Sequence, residues 1–304
     1  MDWTHRLRLR HLQILVSLAE TQNVSRSAER LHMTQPALSK WLKDLEADIG
    51  TALFERHARG LRPTRSCEVL LEHARRIGVD LDRARDEMSM LLAGSTGYVA
   101  IGGSGATIAS TVPAAVLALL QAMPGARVDI VEGTMDRLME RLDRNELDIA
   151  VGRSQPQYLT RHVECEELYA EPLHFVARKD HPLHQLDVLG WDDLYRYRWV
   201  VFSHDTPVRH LINEELRLAR RSLPADALQS NSVFASFSLL STSDLLTIAS
   251  ERSIAMYERM GTLKRLPIRF SSAPPVMMYW RRDVSRSAAV AMALHCLRAL
   301  TDAP

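Results

Sequence analysis

One short segment, "TQPALSKWLK" at Thr34–Lys43, carries side chains suited to contacting a nucleic acid. In a helix, its apolar residues would share one stripe with a later leucine; they are Leu38, Leu42 and Leu45. The opposite face then presents Gln35, whose amide can pair with an adenine edge, and Ser39, whose hydroxyl suits several base edges. Lys40 and Lys43 can neutralise phosphates. A merely solvated helix face is the alternative interpretation.

The flanking sequence predicts the elements that would position this segment. A first helix is predicted over roughly 8–21, and Asn23–Ser25 supplies a break with capping residues before a second, short helix. After a turn, Thr34 caps the third helix, Pro36 lies in its first turn, and Gly50 ends it. Two helices joined by a short turn form a helix-turn-helix, whose second helix fits the major groove of B-DNA.

A basic hairpin is predicted directly after these helices, over 53–63. Its arginines, Arg56, Arg59 and Arg62, would brace the DNA backbone or enter the minor groove. Residues 1–66 carry 11 Lys and Arg against 7 Asp and Glu, although the whole chain has a net charge of only +1. A basic head on a slightly acidic body favours a polyanionic partner for the head.

One long helix is predicted over 66–93. Its apolar residues alternate spacings of four and three; they are Leu70, Ala74, Ile77, Leu81, Ala84, Met88 and Leu91. A stripe this regular indicates a second helix as partner, and therefore a dimer. A single amphipathic helix packed on its own domain is the alternative. After this helix, Gly94–Gly97 is predicted to be a hinge.

The remainder, residues 94–304, alternates strand and helix patterns. The runs "YVAIGG", "ARVDIVEG" and "LDIAVG" predict strands, and helices are predicted between them over 111–122 and 134–144. Repeated βα units with short loops predict a mostly parallel sheet covered by helices. The fold class is therefore α/β, with head 1–65, linker helix 66–93 and body 94–304.

The head closely resembles the winged helix-turn-helix of the LysR-type transcriptional regulators. The strings "AERL" at 28–31, "TQPALS" at 34–39, "LE" at 45–46 and "LFER" at 53–56 match that pattern, and "ELDIAVG" and "KDHPL" extend the similarity into the body. The resemblance implies a two-lobed effector-binding body like periplasmic binding proteins, with lobe I at 97–162 and 269–304 and lobe II at 163–268. One departure is the large Trp41, which would pack under the wing or lie against the sugar-phosphate backbone.

The resemblance also implies partners. We expect a homodimer that assembles into a homotetramer on partly palindromic double-stranded promoter DNA, and an effect on RNA polymerase. The residues expected to contact DNA are Ser25, Thr34, Gln35, Pro36, Ser39, Lys40, Lys43, Arg56, Arg59 and Arg62. A small-molecule-binding module whose head serves only to dimerise is the second hypothesis.

In such a body the effector would bind between the lobes, at strand ends and helix starts. The expected contacts are Ser104, Gly105, Thr107, Thr134, Phe202, His204, Ser232 and Phe234. Each hydroxyl also suits a plain helix cap. Arg153 could pair with a carboxylate, but we expect it to be an exposed surface arginine. This mix of groups favours a small organic acid or a sugar derivative.

Other classes of protein fit the sequence poorly. The "GGSG" at 102–105 lacks the glycine that a nucleophile elbow needs at Ala106, and a dinucleotide fingerprint fails at Ile108. We therefore expect no enzyme and no cofactor. His181 and His184 have no third ligand nearby in the sequence, so no metal site is expected. The three dispersed cysteines, a charged N-terminus and the lack of a long apolar run indicate a cytoplasmic chain without membrane spans.

Overall fold

The computed structural model describes residues 3–57, 60–92, 97–159, 162–170, 172–204, 206–270, 274–282 and 287–300. The chain forms two compact units, Met1–Ser89 and Met90–Pro304. Within the described residues, no helix combines the length and the apolar character that crossing a membrane requires.

The first unit is a small helical domain with a hairpin. Its elements, after a 3-10 turn at Trp3–Arg6, are α1 (Leu9–Thr21), α2 (Val24–Arg30), α3 (Gln35–Ile49), β1 (Phe54–His57), β2 (Gly60–Pro63) and α4 (Arg65–Leu92). The predicted stripe of α3 is buried: Leu38, Leu42 and Leu45 share one core with the apolar faces of α1, α2, the hairpin and the start of α4. Burial raises the pKa of the Cys67 thiol in this core to about 12, so the thiol stays protonated and unreactive.

Helix α4 leaves much of its predicted stripe uncovered. Ala74 is buried against the domain, but Ile77 is 40% exposed, Leu81 45% and Met88 59%. The side chain of Leu91 lies outside the described residues. Past its first three turns, the helix thus presents a row of apolar side chains that are about half exposed.

The second unit contains two α/β lobes. In chain order its elements are β3 (Gly97–Gly103), α5 (Ala106–Ala109), α6 (Thr111–Ala122), β4 (Ala126–Glu132), α7 (Met135–Asp143), β5 (Ile149–Arg153), β6 (Val163–Tyr169), β7 (Leu173–Arg178), α8 (Trp191–Leu194), β8 (Trp199–Val201), α9 (Pro207–Leu218), β9 (Leu228–Gln229), α10 (Val233–Ser241), β10 (Leu246–Ser250), α11 (Glu251–Arg259), β11 (Leu263–Arg269), β12 (Val276–Arg281) and α12 (Ala288–Ala299). Short 3-10 turns lie at Pro156–Tyr158 and Pro182–Gln185.

Each lobe has one five-stranded sheet. The strand order is β4-β3-β5-β12-β6 in lobe I and β11-β7-β10-β8-β9 in lobe II. Both sheets are mixed: in each, four strands run in the same direction, as the prediction of a mostly parallel sheet implies, and one strand runs opposite to them. Strand β3 runs parallel to β4 and β5, but β12 is antiparallel to β5 and β6, and β7 is antiparallel to β10 and β11. The antiparallel strands are those that lie next to a crossing between the lobes, where the chain reverses its direction.

The first crossing lies later than the sequence suggested. The expected boundary assigned β6 to lobe II, yet β6 pairs with β12 from Val163↔Arg281 to Tyr169↔Val276, in the lobe I sheet. The expected boundary is therefore wrong by one strand, and the chain crosses between Tyr169 and Leu173. The return crossing lies between Arg269, which pairs with His174, and Val276. Leu173 and Val276, the first residues of the strands after the two crossings, both line the cavity described below.

Candidate nucleic-acid interface and ligand cavity

The turn before α3 is fixed by backbone geometry and by a cap. His32 adopts a left-handed conformation with φ of 53°, and Met33 N donates to Ala28 O at 2.8 Å, which closes the turn between the two helices. Thr34 Oγ1 accepts from Ala37 N at 3.4 Å, and Pro36 occupies the first turn. Gly50 ends the helix with φ of 82°. The predicted helix-turn-helix is confirmed residue by residue at its caps.

The outer face of α3 is polar and open to solvent. Thr34, Gln35, Pro36, Lys40 and Lys43 are exposed, and Ser39 is half-buried. Ser25, near the start of α2, is also exposed, and its Oγ donates to Gln35 Oε1 at 3.2 Å. Since this bond uses one side of the amide oxygen, Gln35 keeps its NH2 group and one oxygen lone pair for an external partner.

The hairpin is tied to the helices at two points. Glu46 Oε1 on α3 accepts from Leu53 N at 2.7 Å and from Phe54 N at 3.1 Å. Leu61 N donates to Gln22 O at 2.8 Å, and a Cβ on Gly60 would collide with that carbonyl, so Gly60, with φ of 128°, cannot be replaced without strain. The hairpin is therefore fixed to α3 through Glu46 and to the end of α1 through Gln22.

The hairpin arginines are only partly described. Arg56 on β1 and Arg62 on β2 are both exposed, in the paired positions Arg56↔Leu61 and Glu55↔Arg62. Arg59 lies outside the described residues. The exposed lysines of α3 and these exposed arginines are cationic side chains of the kind that contact phosphates.

Trp41 packs on α1. The two positions considered from the sequence were under the wing and against the sugar-phosphate backbone, and neither included this contact. Its ring lies 5.2 Å from the His11 ring at an angle of 42°, and it is half-buried. His11 Nδ1 accepts from Arg8 N at 3.2 Å, and burial, aided by the neighbouring arginines, lowers the pKa of His11, so the imidazole is neutral. Trp41 thus braces α3 against the first helix.

The second unit holds a cavity of about 360 Å³ between its lobes. Lobe I contributes the segments that follow β3 and β4 and the end of β5. Lobe II contributes the segments around the starts of α9, α10 and α11. The starts of these helices therefore lie at the cavity, and the positive end of a helix dipole favours an anionic ligand.

Six of the eight expected effector contacts line this cavity; they are Ser104, Gly105, Thr107, Thr134, Phe202 and Ser232. The other two lie elsewhere. His204 Nε2 lies 3.5 Å from Arg209 Nη2, and Phe234 points outward with 76% of its surface exposed. His204 and Phe234 are therefore not part of the described cavity lining. In each case the residue is next to the lining in sequence but turns to another side of its loop or helix.

Some of the hydroxyls that line the cavity already make hydrogen bonds within the protein, and others do not. Thr107 is buried, and its Oγ1 accepts from Ser104 N at 3.0 Å and lies 2.8 Å from Val151 O, a local role that closes the turn. Ser232 Oγ caps α10 by accepting from Ala235 N at 3.2 Å. Within the described residues, by contrast, the Ser104 hydroxyl makes no hydrogen bond, and Thr134 begins α7 without a side-chain cap. Ser104 and Thr134 remain available to a ligand.

Arg153 corrects a sequence expectation. Instead of being an exposed surface arginine, it is 7% exposed, lines the cavity and donates from Nη1 to Pro274 O at 2.6 Å. Its position as the last residue of β5 was the available signal, because strand ends at this edge of the sheet point at the ligand site. Gly152, the preceding residue, is a second signal that the sequence interpretation missed. A Cβ at this position would collide with Ser104 Oγ and Met135 Sδ, so the lining residues pack closely against the backbone here.

A DNA-reading helical head joined to a two-lobed α/β body with a ligand cavity defines a ligand-responsive DNA-binding protein. Two family models match the chain: "Bacterial regulatory helix-turn-helix protein, lysR family" over residues 9–68 and "LysR substrate binding domain" over residues 93–302. The chain belongs to the LysR family. It is a DNA-binding transcriptional regulator with an effector-binding domain, and its family consists of regulators and not enzymes.

Individual relatives agree with this assignment. The HTH-type transcriptional regulator GbpR of Azospirillum brasilense is 33% identical over 98% of this chain and 87% of its own. PcaQ of Agrobacterium fabrum is 31% identical over 96% of this chain and 94% of its own. The crystal structure of full-length CbnR complexed with its target DNA superposes with a TM-score of 0.68, at 21% identity, over 97% of this chain and 100% of that chain. At this identity the CbnR structure supports the fold alone.

Proposed function

We propose that this regulator binds a partly palindromic promoter site as a homotetramer built from two dimers, and that a small acidic effector changes its action on RNA polymerase. The head 1–65 would read DNA, α4 would pair two chains, and the body 94–304 would sense the effector in the cytoplasm. The observation that carries the effector proposal is the buried Arg153 in the cavity between the lobes.

The proposed DNA surface comprises the ten residues named from the sequence. Support comes from the exposed faces of α3 and of the hairpin and from the contact between Ser25 and Gln35. A dimer that neutralises roughly 6–10 phosphates should lose affinity with salt at a log–log slope of about −5 to −9. Titration of the chain's own upstream DNA at several salt concentrations tests this, and a flat response would contradict a phosphate-binding head.

Two sets of exposed apolar residues support the proposed assembly. On α4 they are Ile77, Leu81 and Met88, whose spacing suits a second α4. On the body they are Leu117 and Leu120 of α6, Ile130 of the edge strand β4, and Phe234 and Leu239 of α10. Large apolar side chains that lie exposed on the same element suit a contact with another chain. The first set would form the dimer and the second would join dimers.

The proposed effector is a small organic acid or a sugar-derived acid. Its carboxylate would pair with the guanidinium of Arg153, and Ser104 and Thr134 would donate to it from either side. A charge-assisted pair of this kind suits a planar carboxylate, because the guanidinium presents parallel N–H groups. Ligand binding would favour one arrangement of the lobes, and only the difference in affinity between arrangements can act on the DNA.

The test is Arg153→Gln in the full chain. Glutamine keeps an N–H donor but is shorter than arginine and carries no charge, so thermal shifts by organic acids should disappear while DNA affinity without effector stays within about twofold. Arg178→Gln serves as a control, because that half-buried arginine pairs with Asp244 away from the cavity. Undiminished acid-induced shifts in Arg153→Gln would refute the assigned anion site.

A further inference from the structure

The cavity that holds Arg153 also carries two carboxylates at its open edge. Glu132 is the last residue of β4 and Asp136 lies in the first turn of α7, so the two side chains flank Thr134. Both line the cavity and both are exposed. Among the described lining residues, these three are the only charged side chains: one cation inside and two anions at the rim.

This arrangement distinguishes the two ends of a bound acid. A carboxylate gains from Arg153 and from the helix starts around the cavity. A second carboxylate at the far end of the same molecule would meet Glu132 and Asp136, and like charges at short range are unfavourable even where water screens them. Carboxylate oxygens accept hydrogen bonds and do not donate them, so the rim instead favours a far end that donates.

We propose that the effector is a monocarboxylate whose remaining chain carries hydroxyl groups. This inference rests on the proposed acid site at Arg153. The Ser104 and Thr134 hydroxyls also line the cavity, and a hydroxylated chain can exchange hydrogen bonds with them while donating to the carboxylates at the rim. A cavity of about 360 Å³ accommodates a six-carbon acid.

The test uses six-carbon acids that differ in charge and in hydroxylation. Hexanoate and gluconate have one carboxylate, adipate and glucarate have two, and only gluconate and glucarate carry hydroxyls. By titration calorimetry on the full chain, gluconate should bind most tightly, and each diacid should bind about three- to tenfold more weakly than its monoacid partner. A fifth ligand, 6-aminohexanoate, carries a cationic amine at its far end in place of hydroxyls. It separates hydrogen-bond donation by hydroxyls from attraction of a positive charge, and gluconate should bind more tightly than this compound.

Charge-neutral variants test whether Glu132 and Asp136 cause the preference for acids with one carboxylate. In the double variant Glu132→Gln, Asp136→Asn, glucarate and gluconate should bind within about twofold of each other. Glu140→Gln is the matched control, because this exposed carboxylate lies on α7 away from the cavity lining and should leave the ratio unchanged.

The outcomes separate this inference from the proposed function. The inference would be overturned, and the acid site left intact, by either of two results. The first is that acids bind through Arg153 with equal affinity whether they carry one carboxylate or two. The second is that the double variant leaves the ratio of gluconate to glucarate affinity unchanged. Tightest binding by hexanoate or 6-aminohexanoate would overturn the hydroxylated class. Failure of every acid to bind a chain that still binds DNA would overturn both.

Discussion

Substitution of Leu81 by aspartate should break the pairing of α4. Leu81 is 45% exposed in the single chain, and full burial of a leucine is worth about 2 kcal/mol, so covering the exposed part contributes about 1 kcal/mol per chain. Both copies contribute in a symmetric pair, so Leu81→Ala should weaken the dimer by about 2 kcal/mol, roughly thirtyfold. Leu81→Asp also desolvates two carboxylates at several kcal/mol each, which raises the loss above about a thousandfold.

Sedimentation of the full chain at micromolar concentration measures this loss. Because the proposed assembly has two kinds of interface, Leu81→Asp should sediment at half the parent's mass and should lose affinity for DNA with two half-sites. Ser89→Asp is the control, since Ser89 is exposed and lies about 100° round the helix from Met88. An unchanged mass for Leu81→Asp, with helical content preserved, would refute the pairing of α4 through this stripe.

Three further predictions address the other parts of the chain. Gln35→Ala should cost about 1–3 kcal/mol at one base position, and Ser25→Ala should lose less and be non-additive with it, as measured with base-substituted DNA. Thr107→Val should leave DNA binding intact and lower the stability of the body by about 1–3 kcal/mol in denaturant, because its hydroxyl serves backbone groups. Burial lowers the pKa of His181 from 6.5, so the unfolded chain binds the extra proton, and stability should fall as the pH drops below about 6.5, with a smaller slope in His181→Asn.

The head could be derived from the sequence almost completely. The spacing of Leu38, Leu42 and Leu45, the cap Thr34 and the stop Gly50 are local signals, and each is confirmed by burial, by a hydrogen bond or by a backbone angle. The positions of these side chains depend on residues within two helical turns. A pattern read over such a short range therefore fixes which face is buried.

The body could be derived only in part, because its key relations join residues far apart in the chain. Strand β6 follows β5 in sequence yet pairs with β12, more than a hundred residues later, and no local pattern indicates this partner. The burial of Arg153 depends on the same distant segment, since its guanidinium is held by Pro274 O. Thr107 was found as a lining residue, but its hydroxyl is used by Val151, which the spacing could not reveal.

Arg153 also connects the ligand site to the polypeptide that joins the lobes. Its Nη1 donates to Pro274 O in the return crossing, so a ligand that draws the guanidinium toward itself competes with that carbonyl. A second connection lies at the other crossing, where Arg252 of lobe II stands 4.0 Å from the Tyr169 ring centroid and 3.5 Å from Leu300 O, both in lobe I. Through Arg153, a cavity residue contacts the polypeptide that joins the lobes, and a link of this kind is the physical requirement for a ligand to bias one arrangement of the lobes over another.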